Sequence, residues 1–366
     1  MKKTTLLIIM CIISLKPIMA QTESAPSSNG IKLYITGQGM TMYISDKDYS
    51  SFGNVKMHLM PLAKLSDNLF LETEIEVETS EGDASFGLEQ VNLIYRVCPY
   101  LNIHAGRFLP KFGGYRGRMG EGYVSRLATD PLGYGDGGIG PMVETGIGFQ
   151  AGLPLGSAKM NYDIWISDGP QISGDSTGPV VGEFDYEAFS DNNKNKAIGG
   201  RIGFLPLSNS SLEVGFSYEK AAKTGPTGTS FENTELNMMA FDLNYFNNIK
   251  AIKSTVRVTG EWKNQNETYP AMNSENSFKS NSSAYYGVVA LRPALLKNNF
   301  IRNLEIAYRY SQYDRSKNKP DAGVKTNRSD IGINYWFKWN AVLKLNYVKQ
   351  QNLDNGMFIA QVLFGF

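Results

Sequence analysis

The chain has 366 residues, with 36 Lys and Arg against 35 Asp and Glu for a formal net charge of +1, a balance that gives no global basic bias toward nucleic acid. Two cysteines in the whole chain are too few for a disulfide framework. Tyr (20), Phe (19) and Gly (37) are abundant, and after the first twenty residues no apolar run is long enough for a spanning helix.

In chain order, Met1 to Ala20 reads as a secretory signal peptide: Lys2 and Lys3, an apolar stretch Leu6–Leu15 too short to span a bilayer, Lys16-Pro17, and cleavage after Ala20. Ile18, three before the cut, only half meets the small-residue rule. Cys11 raises the alternative of a lipoprotein, which Met10 before it and the continuing apolar stretch disfavour. The mature chain would then keep only Cys98 and carry a net charge of −2. Residues 21–30 form a short lead-in, too short for a plug, and residues 31–366 form one body without a linker.

Within that body, alternating segments recur at 31–43, 54–65, 69–80, 85–97, 101–109, 142–153, 157–167, 196–205, 212–221, 235–246, 251–263, 283–294, 303–314, 326–338, 341–350 and 356–366. That is sixteen, an even number, as a single-chain antiparallel membrane barrel requires. Eighteen strands stay open if a long connection hides a hairpin. Connections after even segments are short, such as Ser66-Asp67-Asn68 and Trp339-Asn340. Most others are longer and polar, the longest at Pro110–Pro141, Gly169–Asn195 and Asn264–Asn281. This alternation predicts an all-β transmembrane barrel with long extracellular loops, short periplasmic turns and both termini periplasmic.

The faces of the segments divide accordingly. Met239, Phe241, Leu243 and Tyr245, then Ile252, Val256, Val258 and Trp262, then Ala341, Leu343, Leu345 and Tyr347 form greasy faces for lipid. In the third segment Glu72, Glu74, Glu76 and Glu78 alternate with apolar residues, so four carboxylates share one face roughly 6.5–7 Å apart. Charge at that density belongs in the lumen and not in lipid. Lys56, His58 and Arg96 fall on the same side of neighbouring segments, and by parity Lys32, Arg201, Arg257, Glu261, Glu305, Arg309 and Lys344 line the wall elsewhere. These charges either solvate a water-filled lumen or set up a transverse field that sorts solutes.

The last eleven residues place Phe358, Ala360, Val362, Phe364 and Phe366 on one apolar face that runs to the end of the chain. Phe358, Val362, Phe364 and Phe366 resemble the C-terminal signal read by the outer-membrane assembly machinery. After the fifth segment, Gly106-Arg107-Phe108-Leu109-Pro110-Lys111-Phe112-Gly113 resembles the G-x-F-x-x-P-F motif of the phosphate-selective porin O/P superfamily and related Bacteroidetes-type outer-membrane porins. Pro110 stands one position earlier than in that pattern. The resemblance implies a passive diffusion channel for small hydrophilic or ionic solutes in a Gram-negative outer membrane. Outer-membrane lipid and the assembly machinery would be its partners, a homotrimer its assembly by analogy, and no cofactor would be needed. The position of the 110–141 loop, after the fifth of sixteen segments, resembles the constriction loop of general porins, which implies that it folds inward and brings Lys111, Arg116, Arg118, Glu121 and Arg126 into the lumen with its basic residues against the glutamate ladder, the alternative being an exposed outer loop with solvated charges. A phosphate porin would have a basic lumen, so the ladder puts phosphate selectivity in doubt.

Two other classes of function have partial support in the sequence. A barrel enzyme needs a histidine beside a nucleophile, and only His58 and His104 exist, the latter sharing a face with Asn102. Asp163 with Asn161, or the loop acids Asp175, Glu183, Asp185 and Glu187, offer oxygen ligands to a cation, although solvated charge explains them as well. The alternative to a pore is a structural or partner-binding barrel with an occluded lumen, serving secretion or surface attachment.

Overall fold

The computed structural model describes residues 30–80, 83–119, 122–135, 137–175, 178–229, 231–270, 277–315, 325–351 and 355–366. Its strands are β1 (Lys32–Ser45), β2 (Ser50–Lys64), β3 (Leu69–Ser80), β4 (Asp83–Cys98), β5 (Leu101–Phe108), β6 (Glu144–Leu155), β7 (Ala158–Ser167), β8 (Gln171–Asp175) and β9 (Gly178–Asp185). They continue with β10 (Ala197–Leu205), β11 (Leu212–Ala221), β12 (Glu235–Ile249), β13 (Ser254–Tyr269), β14 (Phe278–Arg292), β15 (Leu304–Asp314), β16 (Thr326–Lys338), β17 (Ala341–Gln350) and β18 (Met357–Gly365). Each sequence neighbour pairs antiparallel with the next and β1 closes on β18, so sixteen strands form one closed barrel. The remaining two, β8 and β9, pair with each other, and β7 pairs directly with β10. A long connection therefore does hide a hairpin, but the hairpin stays out of the wall and the closure has sixteen strands. Among the described residues no helix is long and apolar enough to cross a membrane.

Alternation decides which way each side chain points. Along β12, Leu236, Met238, Ala240 and Asp242 are buried inside, while Phe241 and Leu243 are exposed outside. Along β17, Val342, Lys344 and Asn346 are buried inside, while Leu345 and Tyr347 face out. Apolar side chains on the outside are what a bilayer solvates, and a closed sheet leaves no unpaired edge in lipid.

At the closing seam the terminal residue is held by three hydrogen bonds to β1. Phe366 N donates to Gly37 O and Gly37 N donates to Phe366 O, each at 3.0 Å. Thr36 Oγ1 donates to Phe366 O at 2.8 Å. Gly37 and Gly39 leave room for the rings: a Cβ on either would stand under 3 Å from Phe366 or Phe364. The aromatic rings thus cover the two glycines of β1 on the outer face.

Three expectations are corrected. The connection placed at Asn264–Asn281 is largely strand, because β13 runs to Tyr269 and β14 begins at Phe278. Both faces there are polar, with Asn281 Nδ2 donating to Asn266 Oδ1 at 2.6 Å, so no hydrophobic alternation marks the extension. Ile252 belongs to the turn Lys250–Ile252 and not to the strand face. The β1–β2 connection is a tight turn in which Asp46 Oδ1 accepts from Asp48 N and Tyr49 N, each at 2.8 Å.

Candidate functional site

The connection from β5 to β6 turns into the barrel and lies against the inner wall. Phe108 and Phe112 begin it, buried with Trp165, Leu236, Met238 and Ala240 from the inner faces of β7 and β12. Gly113 N donates to Ser217 Oγ at 2.9 Å, and Gly114 N and Tyr115 N both donate to Glu261 Oε2 at 2.8 Å. Gly113 has φ +67° and its α-carbon sits on that carboxylate, a place and a backbone conformation that suit glycine. A π-helical turn over Tyr115–Met119 follows. Tyr115, Tyr134 and Tyr286 then pack edge to face at 4.8–5.6 Å between ring centroids. Burial pushes the phenols of Tyr115 and Tyr134 well above their usual value, and the Asp130 carboxylate that accepts from Tyr115 adds to the effect.

Farther along, wall side chains capture the loop's own backbone. Arg309 donates to Thr129 O at 2.6 Å and to Asp130 O at 3.2 Å while its Nε holds Asp330 at 2.9 Å. Lys344 Nζ donates to Gly122 O at 2.5 Å, Asn334 Nδ2 to Arg126 O at 2.9 Å, and Asn346 Oδ1 accepts from Ala128 N at 2.5 Å. Lys263 Nζ donates to Ile139 O at 3.3 Å on the way back to β6. Each of these buried wall side chains bonds loop backbone, which orders so long a connection inside a barrel.

A second segment, between β9 and β10, lies over the first. Arg107 donates to Glu187 O at 2.9 Å and Ala188 O at 3.1 Å and stacks on Phe189 at 4.0 Å. Tyr186 OH donates to Gln265 Oε1 at 2.5 Å, and its O accepts from Val143 N at 3.1 Å. Burial pushes the Tyr186 phenol well above its usual value.

Between this loop and the opposite wall, formed by β18 and β1–β4, a cavity of about 540 Å³ remains. Glu74 and Glu76 line it together with His58 and Lys56. Lys56 Nζ bridges Glu76 at 3.0 Å and Glu78 at 2.8 Å. The imidazole lies between two rungs, Nδ1 3.0 Å from Glu74 and Nε2 3.2 Å from Glu76. Gln90 Nε2 donates to Glu72 at 3.2 Å. All four glutamates therefore sit on the inner face, and their cations stand beside them on β2 instead of across the lumen. The charged lining comprises the carboxylates of Glu74, Glu76, Glu89, Asp130 and Glu187 against Lys56, Arg116 and Lys344. Lys344 is committed to loop carbonyls, so the open surface is net acidic.

The barrel is similar in shape to several solved structures. OmpF of Salmonella typhi, solved in complex with daunomycin, superposes with a TM-score of 0.62 at 13% identity, over 92% of this chain and 98% of that one. The outer membrane channel DcaP of Acinetobacter baumannii gives 0.58 at 12% identity, over 93% and 99%. An anion-selective porin from Comamonas acidovorans gives 0.54 at 14% identity, over 92% and 100%. The fold is that of the sixteen-stranded porins. No protein-family model matches the sequence, and no curated relative does.

On this porin fold the sequence-predicted residues separate into groups. Glu72, Glu74, Glu76, Glu78, Lys56 and His58 form one continuous patch. Arg96 lies toward the short-turn end of the wall, over the Phe70 ring at 5.2 Å. Arg201 is buried between Asp242 at 2.7 Å and Glu213 at 3.1 Å. Arg257 stacks on Phe246 at 4.9 Å. Arg309 and Lys344 are loop anchors. The loop cations do not converge on the ladder. Lys111 pairs with Asp163 at 3.5 Å and Gln150 at 2.5 Å, Arg116 with Glu187 at 3.0 Å, and Arg126 lies 3.6 Å from Glu305 and over Trp336 at 5.0 Å. Of these, Arg116 lines the cavity with the glutamates. Burial lowers the Arg126 guanidinium from its usual range. The Arg118 side chain and Glu121 lie outside the described residues, as do the side chains of Asp175 and Glu183.

His104 is buried edge-on against Phe108, its Nε2 3.7 Å from Asp163. Asp185 Oδ1 accepts from Glu187 N at 2.8 Å. Among the described residues no group of three or more His, Cys, Asp or Glu is arranged to hold a metal ion. Sequence reasoning missed Asp242, Lys263, Asn334 and Asn346 as inner-wall groups. Parity counting would place them inside, but nothing local tells which backbone each one holds.

Proposed function

We propose that the chain is an outer-membrane porin: a passive diffusion channel for small hydrophilic or ionic solutes, narrowed by the 110–141 loop. The observation that carries this reading is the loop lying inside a closed barrel while a polar, net acidic cavity stays open beside it. Preference for cations follows from that charge, because a narrow, low-dielectric passage lined by carboxylates favours cations and repels anions. The affinity to the phosphate-selective porin O/P superfamily is part of the proposal on the strength of Gly106–Gly113 alone, and the acidic lining argues against phosphate as its solute.

The remaining parts follow the same reading. Residues 1–20 are removed on export and both termini face the periplasm. Phe358, Val362, Phe364 and Phe366 present the assembly signal on the outer face, and the barrel trimerises. Catalysis has no support from the two histidines: His58 is held between carboxylates, and His104 is buried against Phe108. The experiment is single-channel recording of the refolded barrel in a planar bilayer. Stable ohmic steps are expected. A demonstrably folded barrel without conductance would overturn the channel reading and favour the partner-binding alternative.

A further inference from the structure

The short-turn end of the barrel beneath β12–β17 combines bare positive charge with exposed aromatic surface. The connections 247–253, 293–303 and 337–341 hold Lys250, Lys253, Lys297, Arg302 and Lys338 and no Asp or Glu. All five cations are exposed, and among the described residues none is ion-paired. Leu295 N donates to Lys253 O at 3.2 Å, which ties the first two connections together. Arg302 N donates to Asn298 O at 3.0 Å and closes a short helix, Asn299–Asn303, so Lys297 and Arg302 flank one helical turn. That helix lies on the lipid side of the wall. The Phe300 ring stands 5.4 Å from Tyr335, and Tyr335 stands 5.1 Å from Phe337. Ile331, Ile333, Tyr335 and Phe337 alternate with the buried Asn334 and Trp336 and form the outward face of β16. Phe300, 61% exposed, therefore carries the apolar outer face of the barrel down to the level of the cations. Trp339, also exposed, follows Lys338 in the next turn.

We infer that this patch is a docking site for a phospholipid with an anionic headgroup. The phosphate would meet Lys297 and Arg302, with Lys253 beside them, and the acyl chains would run up over Phe300, Tyr335 and Phe337. The patch continues the apolar band that lipid covers on the rest of the wall, which commits it to a lipid. Aromatic rings sit well at the headgroup boundary, and an anionic leaflet attracts each cation placed there by about five-fold. A zwitterionic headgroup brings a cation of its own among the five, and a soluble anion gains nothing from the rings. The inference goes beyond the channel reading and rests on it only for the side of the membrane, the periplasmic leaflet; the site itself requires no more than a barrel that spans a bilayer.

The test is native mass spectrometry of the refolded barrel in neutral detergent, incubated with equal amounts of dioleoyl phosphatidylglycerol and dioleoyl phosphatidylcholine. Phosphatidylglycerol should be retained about 25-fold over phosphatidylcholine, about five-fold for each of two cations on one headgroup. Lys297→Gln with Arg302→Gln should bring the ratio to about one. Lys47→Gln with Lys194→Gln, at the opposite end of the barrel, should leave it unchanged. Phe300→Ser should lower retention of both lipids about three-fold or more. If the Lys297 and Arg302 variant fails to fold, the wild-type ratio and Phe300→Ser still decide. Equal retention of the two lipids by the folded wild type, or a ratio that the Lys297 and Arg302 substitutions leave unmoved, would overturn the site. Displacement of phosphatidylglycerol by equimolar glycerol 3-phosphate would overturn it in favour of a soluble anion. Cosedimentation with peptidoglycan sacculi in place of a lipid preference would overturn it in favour of the cell wall. Lipid preference in a barrel that does not conduct would uphold the site and remove the channel; conductance without the preference would do the opposite.

Discussion

Replacing Glu261 by Leu should free one stretch of the inner loop and leave the rest in place. Glu261 is 4% exposed, and its Oε2 accepts the backbone N–H groups of both Gly114 and Tyr115 at 2.8 Å. A hydrogen bond to a charged group contributes about 1.5–3 kcal/mol, so the pair anchors the stretch by about 3–6 kcal/mol. At about 1.4 kcal/mol per decade, local opening should rise about 10²- to 10⁴-fold. The later anchors are separate: Ala128 on Asn346, and Thr129 and Asp130 on Arg309. Amide hydrogen exchange of the reconstituted barrel reads both regions at once. Protection across 112–117 should fall by that factor while 127–131 holds. Glu261→Gln, which keeps an acceptor but loses the charge, should fall about ten-fold. Equal protection of Gly114 and Tyr115 in the wild type and the Leu variant would refute the anchoring argument, as would amides already unprotected in the wild type.

Gly113→Ala should give the same exchange phenotype with Glu261 itself unsubstituted, because the added Cβ would clash with the Glu261 carboxylate at a φ of +67°; unchanged exchange would contradict the packing. Tyr115, Tyr134 and Tyr186 have phenols raised by burial, so their contribution to stability is intact below about pH 10, the unfolded value, and is lost as pH rises toward the folded one. Ultraviolet titration should find these three un-ionised until the barrel opens, and their ionisation together with exposed tyrosines would count against the buried loop. Deleting Phe366 removes three hydrogen bonds at the seam, about 1.5–4.5 kcal/mol in all. The folded yield, read by heat-modifiable gel migration, should drop, and an undiminished yield would deny the seam its role.

Much of the wall was legible because a membrane barrel writes its fold locally. Period-two alternation fixes each strand, polar clusters fix each turn, and parity alone puts Glu72 to Glu78 on one inner face beside Lys56 and His58. Legibility fails where both faces of a strand are wet: Asn264 to Tyr269 and Phe278 to Asn281 carry no alternation and read as loop, yet they pair. It fails again for the loop interior. Lys344 and Gly122, or Arg309 and Thr129, are far apart in sequence, and the groups captured are mostly backbone carbonyls that carry no residue signature. The expectation that Lys111, Arg116 and Arg126 would face the ladder together treated charge attraction as the organiser. Each instead took the nearest carboxylate along the loop's path: Asp163, Glu187 and Glu305.

The most direct test of the account is the zero-current potential of the refolded barrel under a potassium chloride gradient. The acidic cavity predicts a potential of the sign that marks potassium as the more permeant ion. Glu74→Gln with Glu76→Gln should reduce the permeability ratio about 25-fold, about five-fold for each carboxylate at about 1 kcal/mol from a unit charge some 4 Å from the ion path in water. A potential of the opposite sign, or one that the two substitutions leave unmoved, would contradict it.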